Sequence, residues 1–432
     1  MPPRIILSTI GSLGDLHPFI ALGLALRERG ARVVLASAAE YRLKVECAGL
    51  EFRAVRPSFN DLQHSLGMDR RQLTHQVLAR SDFLLRKLIM PPLRASYDDM
   101  LPIVQGANCL VSSSLAFGAR LAAEKCAIPR IAVVLQPLMF LSAFDPPVIP
   151  KVEWLNAVLR ALGPSATRPV LRFVKWALNA QLRPVRVLRR QIGLAPTRLN
   201  PLFEGQFSAG GALGLYSPVL GGLRPDYPRP TSLTGFAVFD SDDGGPAALS
   251  GPLQRFLEAG APPLVFTLGS LIVNSPGAFF RESLAAARHL RKRAVLLVGE
   301  TAGQSFAGCQ GDDVHVTAYA PHSLLFPRAE AIVHQGGIGT LAQGLRSGRP
   351  QLIVPFYADQ LDNAARAVHL GVARSLAPAR YSADEATRQL GLLLSMPQYV
   401  SLAAQVRDRV GAEDGAGRAA DIVLHRLESW AA

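Results

Sequence analysis

Cysteine is scarce and scattered. Cys47, Cys109, Cys126 and Cys309 fall into none of the paired spacings that hold a metal. A reduced, cytoplasmic protein is the simplest account of them. No apolar run reaches the ~18 residues of a membrane-crossing helix, so none is expected. No secretory leader is expected either, because Asp15 and His17 interrupt the first apolar stretch before it is long enough. A Walker loop, a dinucleotide fingerprint and any nucleic-acid motif are missing, as is an acidic pair suited to a metal between phosphates. Repeats and low-complexity segments are absent too.

What is present points to a globular protein of two domains. The 432 residues exceed one ordinary core, and 49% are hydrophobic against 18% charged. The net charge of +13 admits nucleic acid, anionic membrane or acidic substrates as partners. It comes from scattered arginines, so it reads as a solvated surface with a bias toward membrane contact and no nucleic-acid partner.

The chain opens as βαβ: a strand at Arg4–Thr9, a turn at Gly11–Pro18, a helix at Phe19–Arg29 and a strand at Ala31–Ala36. Strands at Phe52–Val55, Cys109–Ser112 and Arg130–Leu135 continue a doubly wound half. Val152–Gly193 differs, with Trp154, Leu159, Val170, Phe173 and Trp176 at helical spacing beside Arg183, Arg186, Arg189 and Arg190. This predicts two core-covering helices with a basic outer face; an acceptor-cleft wall or a membrane-facing surface is the alternative. The apolar segment Leu135–Phe144 suits either a hydrophobic pocket or core. Asp240–Gly251 is linker-like, and a second αβ series starts at Leu264–Gly269.

The informative stretch is Ala331–Asn363. Ala331–Val333 is a short β-branched run, and His334-Gln335-Gly336-Gly337-Ile338-Gly339-Thr340 is a glycine-rich turn opening a helix. The free amides and positive end of that helix make an anion site, and the glycines let a diphosphate approach. Asp359-Gln360 closes the next strand, on the same crevice edge.

These motifs, with Ile5–Gly30 and Pro263–Ser270, resemble nucleotide-sugar glycosyltransferases of the GT-B fold. The likeness is to the UDP-glycosyltransferase superfamily, near rhamnolipid-type rhamnosyltransferases and natural-product glycosyltransferases. It implies two doubly wound Rossmann-like domains facing across a cleft. Residues 1–240 would bind acceptor, residues 241–415 would bind the nucleotide sugar, and a final helix at about 416–432 would pack back on the first domain. On the donor side it implies that His334, Gly339, Thr340 and Ser270 meet the diphosphate. Tyr319 and His322 would wall the base, and Asp359 and Gln360 would grip sugar hydroxyls. No metal and no cofactor beyond the donor are implied. Where many relatives carry a ribose-binding glutamate this chain has Ala342, which favours dTDP-L-rhamnose over UDP-glucose. Where many carry a catalytic histidine it has Asp15, the candidate general base, with His17 its rival. Asp15 could also be the N-cap of the helix, or His17 the cap with Pro18 first in the helix. The implied reaction is inverting transfer to a hydroxyl of a small hydrophobic acceptor, a flavonoid or other phenolic or a hydroxyacyl lipid. A nucleotide-sugar epimerase and a non-catalytic sugar-nucleotide-binding partner are the competing readings.

Overall fold

The computed structural model describes residues 2–80, 82–149, 152–241, 243–299 and 306–431. Position 242, within the expected linker, lies outside them. Two compact units divide the chain, one running to Phe239 and resuming at Glu413, the other spanning Asp240–Ala412.

The first unit is built on a parallel sheet: β1 (Arg4–Ser8), β2 (Arg32–Ser37), β3 (Glu51–Ala54), β4 (Cys109–Ser113), β5 (Arg130–Val134), β6 (Ala212–Gly214) and β7 (Thr231–Leu233). Their order is β3-β2-β1-β4-β5-β6-β7. The central strands β1, β4 and β5 are almost wholly buried, as expected for Val, Ile and Leu runs covered by helices on both faces. The second unit repeats the plan with β8 (Leu264–Thr267), β9 (Ala294–Leu297), β10 (Val314–Thr317), β11 (Ala331–His334), β12 (Gln351–Ile353) and β13 (Ala373–Ser375), ordered β10-β9-β8-β11-β12-β13. In both sheets the order reverses beside the first strand, at β1/β4 and at β8/β11. Ligands of open parallel sheets bind at the carboxyl ends of such strands.

Helix α1 runs Leu13–Glu28, six residues earlier than the sequence predicts. Ser12 is its N-cap, so neither Asp15 nor His17 is, and Pro18 sits inside the helix. Proline is tolerated there because the only acceptor it leaves is the Gly14 carbonyl, close to the helix start.

Helices α2 (Trp154–Leu162), α3 (Pro164–Leu178) and α4 (Arg183–Gln191) occupy the basic, tryptophan-containing stretch. Leu159, Leu171, Val185 and Leu188 face the core, while Trp154, Phe173 and Trp176 are exposed. The sequence predicts two core-covering helices with a basic outer face; there are three, and large aromatics share their outer side. Leu135–Phe144 resolves toward core, with Leu135, Phe140, Leu141 and Ala143 buried and Phe140 stacked 4.0 Å from Tyr227. Beyond these come α5 (Ile338–Ser347), α6 (Gln360–His369) and α7 (Gly415–Ala431). The last packs on the first unit, where Arg426 donates to the Gly210 carbonyl at 2.7 Å and Asp421 pairs with Arg29. Among the described residues no helix is long and apolar enough to cross a membrane.

Candidate active site

In the second unit the loops after β8, β11 and β12 leave one edge of the sheet. Those three strands are neighbours, so Ser270, the turn at 334–340 and Asp359-Gln360 are brought together. Gly337 is the N-cap of α5 and has no side chain to cap it. The amides of Ile338, Gly339 and Thr340 therefore point out of the first turn without intrahelical acceptors. Gln335 is wedged between two turns: a Cβ on Gly269 would lie 2.3 Å from its Nε2, and one on Gly337 2.8 Å. Gly336 has φ +84°, and a Cβ there would meet Ile353 at 2.7 Å. Glycine is thus required by both conformation and space. Ser270 is exposed beside this turn.

His334 does not take the role expected of it. Its ring is wholly buried, with Nε2 2.8 Å from Gln351 Oε1 and Nδ1 accepting from the Gly336 amide at 3.0 Å. Both nitrogens are spent inside the protein, so the ring shapes the turn and does not donate to a phosphate. Burial pushes its pKa down to about 4, against the Gln351 hydrogen bond and aided by repulsion from His322. The imidazole is neutral at pH 7, carrying its proton on Nε2. The unfolded chain protonates this histidine below about pH 6.5, the folded one only below about 4. Its contribution is complete above pH 6.5 and lost as pH falls toward 4, about 3 kcal/mol in all. Urea titrations of His334→Gln are expected to lose correspondingly less stability than wild type across that window. Parallel losses would exclude this assignment.

Two amides beside the turn were not singled out in the sequence. Asn363 donates to the Gly336 carbonyl at 3.0 Å and to Asp359 Oδ2 at 2.8 Å, tying the Asp359 carboxylate to the glycine turn. Gln351 fixes the His334 tautomer. A polar residue opening the otherwise apolar run QLIV was the available signal for it. Gln360, expected on sugar hydroxyls, is buried, and its Oε1 accepts from the amides of Phe356 at 2.8 Å and Tyr357 at 3.3 Å. That closes the loop behind Asp359 and leaves only its NH2 for other partners. Ala358 in this loop has φ +53°, a strained conformation for a non-glycine residue held next to the site.

Tyr319 and His322 form a local stack. The His322 ring lies 6.0 Å from Tyr319 and 4.3 Å from Phe326. Tyr319 Oη donates to Asp240 Oδ1 at 2.8 Å, and Asp240 Oδ2 accepts from the Ser323 amide. Asp240 is 79 residues from Tyr319, which is why sequence reading missed it. Desolvation lowers the His322 pKa, so this histidine too is held toward its neutral form.

Asp15 and His17 belong to the first unit, in the opening turns of α1 after β1. Asp15 occupies the third helical position, and its Oδ2 accepts from the Ser12 amide at 2.8 Å and hydroxyl at 3.2 Å. Desolvation nevertheless raises its pKa above the usual carboxylate range, outweighing those bonds. Gly11 makes room for it, since a Cβ there would lie 2.2 Å from Oδ2. His17 projects elsewhere, its ring edge-on to Phe239 at 5.5 Å. Residues two apart on a helix do not face each other, so the two are not an acid–base pair. Among the described residues no group of three His, Cys, Asp or Glu side chains is placed to hold a metal.

Comparison with known proteins agrees with this layout. Residues 5–140 match the glycosyltransferase family 28 N-terminal domain, and residues 282–423 the erythromycin biosynthesis protein CIII-like C-terminal domain. The O-mycaminosyltylonolide 6-deoxyallosyltransferase of Streptomyces fradiae is 31% identical over 99% of this chain and 97% of that enzyme. A sterol 3-beta-glucosyltransferase of Arabidopsis thaliana is 25% identical over 98% of this chain and 68% of its own length. The crystal structure of glycosyltransferase VinC in complex with dTDP shares the fold at TM-score 0.70 and 19% identity, covering 99% of this chain and 100% of that one. Aligned nearly end to end with a relative above 30% identity, the chain belongs to the GT-B fold glycosyltransferases of the UDP-glycosyltransferase superfamily.

Proposed function

We propose that this glycosyltransferase moves a hexose from a dTDP- or UDP-sugar to a hydroxyl of a small hydrophobic acceptor, with inversion and without a metal. The observation that carries the reading is the uncapped N-terminus of α5 at the β8/β11 switch point. Its amides and positive end stabilise the charge that builds on a departing diphosphate, the task a metal performs elsewhere. The neutral His334 holds the turn in register. Asp359, braced by Asn363, accepts from sugar hydroxyls. Asp15 takes the acceptor's proton as its oxygen bonds the anomeric carbon, while the bond from that carbon to the diphosphate oxygen breaks. A raised pKa brings the carboxylate closer to what a general base needs.

L-rhamnose from dTDP-L-rhamnose is the preferred donor assignment. Ala342 offers no carboxylate for a ribose 2′-hydroxyl, which dTDP lacks. The Streptomyces relative is named for a 6-deoxyhexose, the class that includes rhamnose, and VinC was crystallised with dTDP. The two relatives are named for O-mycaminosyltylonolide and sterol, both small-molecule acceptors, in keeping with a phenolic or hydroxyacyl acceptor here. A panel of dTDP- and UDP-hexoses, with and without these acceptors, tests the assignment in excess EDTA. Nucleoside diphosphate released only with acceptor, and undiminished by EDTA, is expected. A changed sugar without acceptor would indicate an epimerase, and binding without turnover an inactive partner. Activity restored only by added divalent ions would overturn metal independence.

A further inference from the structure

We propose that the outward face of the α2–α3 hairpin docks onto an anionic lipid bilayer. On α2, Trp154, Val158 and Leu162 recur every four residues along an exposed side, Trp154 being 67% exposed. On α3, Phe173 and Trp176 stack at 5.6 Å and are 63% and 67% exposed. The residues these helices bury are others: Leu159, Thr167 and Leu171. The hairpin therefore carries an apolar inner side that packs and a second apolar side that meets solvent. Single exposed apolar residues are ordinary, but five on two consecutive helices mark an interaction surface.

Charge selects the occupant. Residues 152–193 hold eight lysines and arginines and one acid, Glu153. Arg160, Lys175 and Arg189 pair with Asp145, Glu204 and Glu124, which among the described residues leaves Arg168, Arg172, Arg183, Arg186 and Arg190 without a carboxylate in an ion pair. Arg168 and Arg172 are exposed on α3, Arg172 one turn before Trp176, and the Arg168 guanidinium lies 5.6 Å from the half-exposed Phe144 ring. Tryptophan and phenylalanine set among arginines suit the headgroup region of a bilayer. There the rings enter the acyl boundary and the guanidinium groups meet lipid phosphates. The chain's net charge of +13 has the same sign and draws it toward an anionic surface. Pairing with a second copy through this face would set the same arginines against one another, which disfavours self-association.

Co-sedimentation of the full chain with vesicles tests the proposal, using phosphatidylcholine alone or doped with phosphatidylglycerol. Binding is expected only to the anionic vesicles, weakening as salt rises. Two of the three tryptophans lie on this face, so bound protein should show blue-shifted emission. The triple variant Trp154→Ala/Phe173→Ala/Trp176→Ala should lose vesicle binding, and Arg168→Glu/Arg172→Glu should weaken it at least ~10-fold. Both should bind dTDP or UDP as wild type does, which separates loss of docking from misfolding. Failure of wild type to bind anionic vesicles would overturn the proposal, as would vesicle binding by the triple variant equal to wild type. A wild-type dimer that these substitutions dissociate would also overturn it, by assigning the face to a second copy.

Discussion

Asp15→Asn is expected to slow sugar transfer by about 10²–10⁴-fold, the usual contribution of a positioned general base. Asparagine keeps an oxygen that can accept from the Ser12 amide, so the turn that opens α1 should survive. The amide cannot take a proton, so the loss should appear in single-turnover rates at saturating acceptor, with donor affinity unchanged. Wild-type kcat/KM should fall on the acid side through an apparent pKa above the usual carboxylate range, because burial lifts this group. Any residual activity of the variant should lack that limb. Stability should move the other way. A folded carboxyl with a raised pKa holds its proton more tightly than the unfolded chain does. Its contribution therefore falls as pH rises from the ordinary carboxylate pKa through the raised one, and at neutral pH the charged form is a burden. The variant should melt at the same temperature as wild type or higher at pH 7. Transfer near the wild-type rate would remove Asp15 from the mechanism and leave His17 as the base to test by the same rates.

Gly337→Asp is expected to weaken donor binding by about 10²–10³-fold while leaving the fold intact. Gly337 has φ −60° and ψ 142°, an ordinary N-cap conformation open to any residue. Aspartate there would satisfy the first-turn amides with its own carboxylate, which favours the helix. Those same amides are the ones proposed to hold the diphosphate. Losing two charge-assisted bonds and placing a negative charge against the phosphates accounts for the magnitude. The new Cβ would meet the end of the Gln335 side chain at 2.8 Å, which must swing aside. Titration calorimetry with dTDP and UDP, paired with a melting curve, separates the two effects. A folded variant that binds nucleotide as tightly as wild type would relocate the diphosphate site. Gly337→Ala serves as the control for the Gln335 displacement alone.

Much of the second unit could be read along the chain because its logic is local. A β-branched run, three glycines and a helix start together dictate a turn whose amides lack acceptors, whatever surrounds them. Asp359 was legible for a similar reason, as the acid that follows the next buried strand, although it sits beyond the strand end, at the N-cap position of α6. The start of α1 was misread because Pro18 looks like a first-turn signal, while the capping that decided the boundary came from Ser12 with Asp15 at the third position.

The sequence by itself determined two αβ series and the glycine turn, since strand periodicity and backbone freedom act over a few residues. Only the tertiary structure decided what His334 does. Its two hydrogen-bond partners come one from its own turn and one from the neighbouring strand, and complete burial then removes its charge. The same holds for Asp240 beneath Tyr319, for Asn363 under the glycine turn, and for the side of α2 and α3 on which the tryptophans lie. Spacing fixes which residues share a helix face, but only packing against the rest of the chain determines which face is buried.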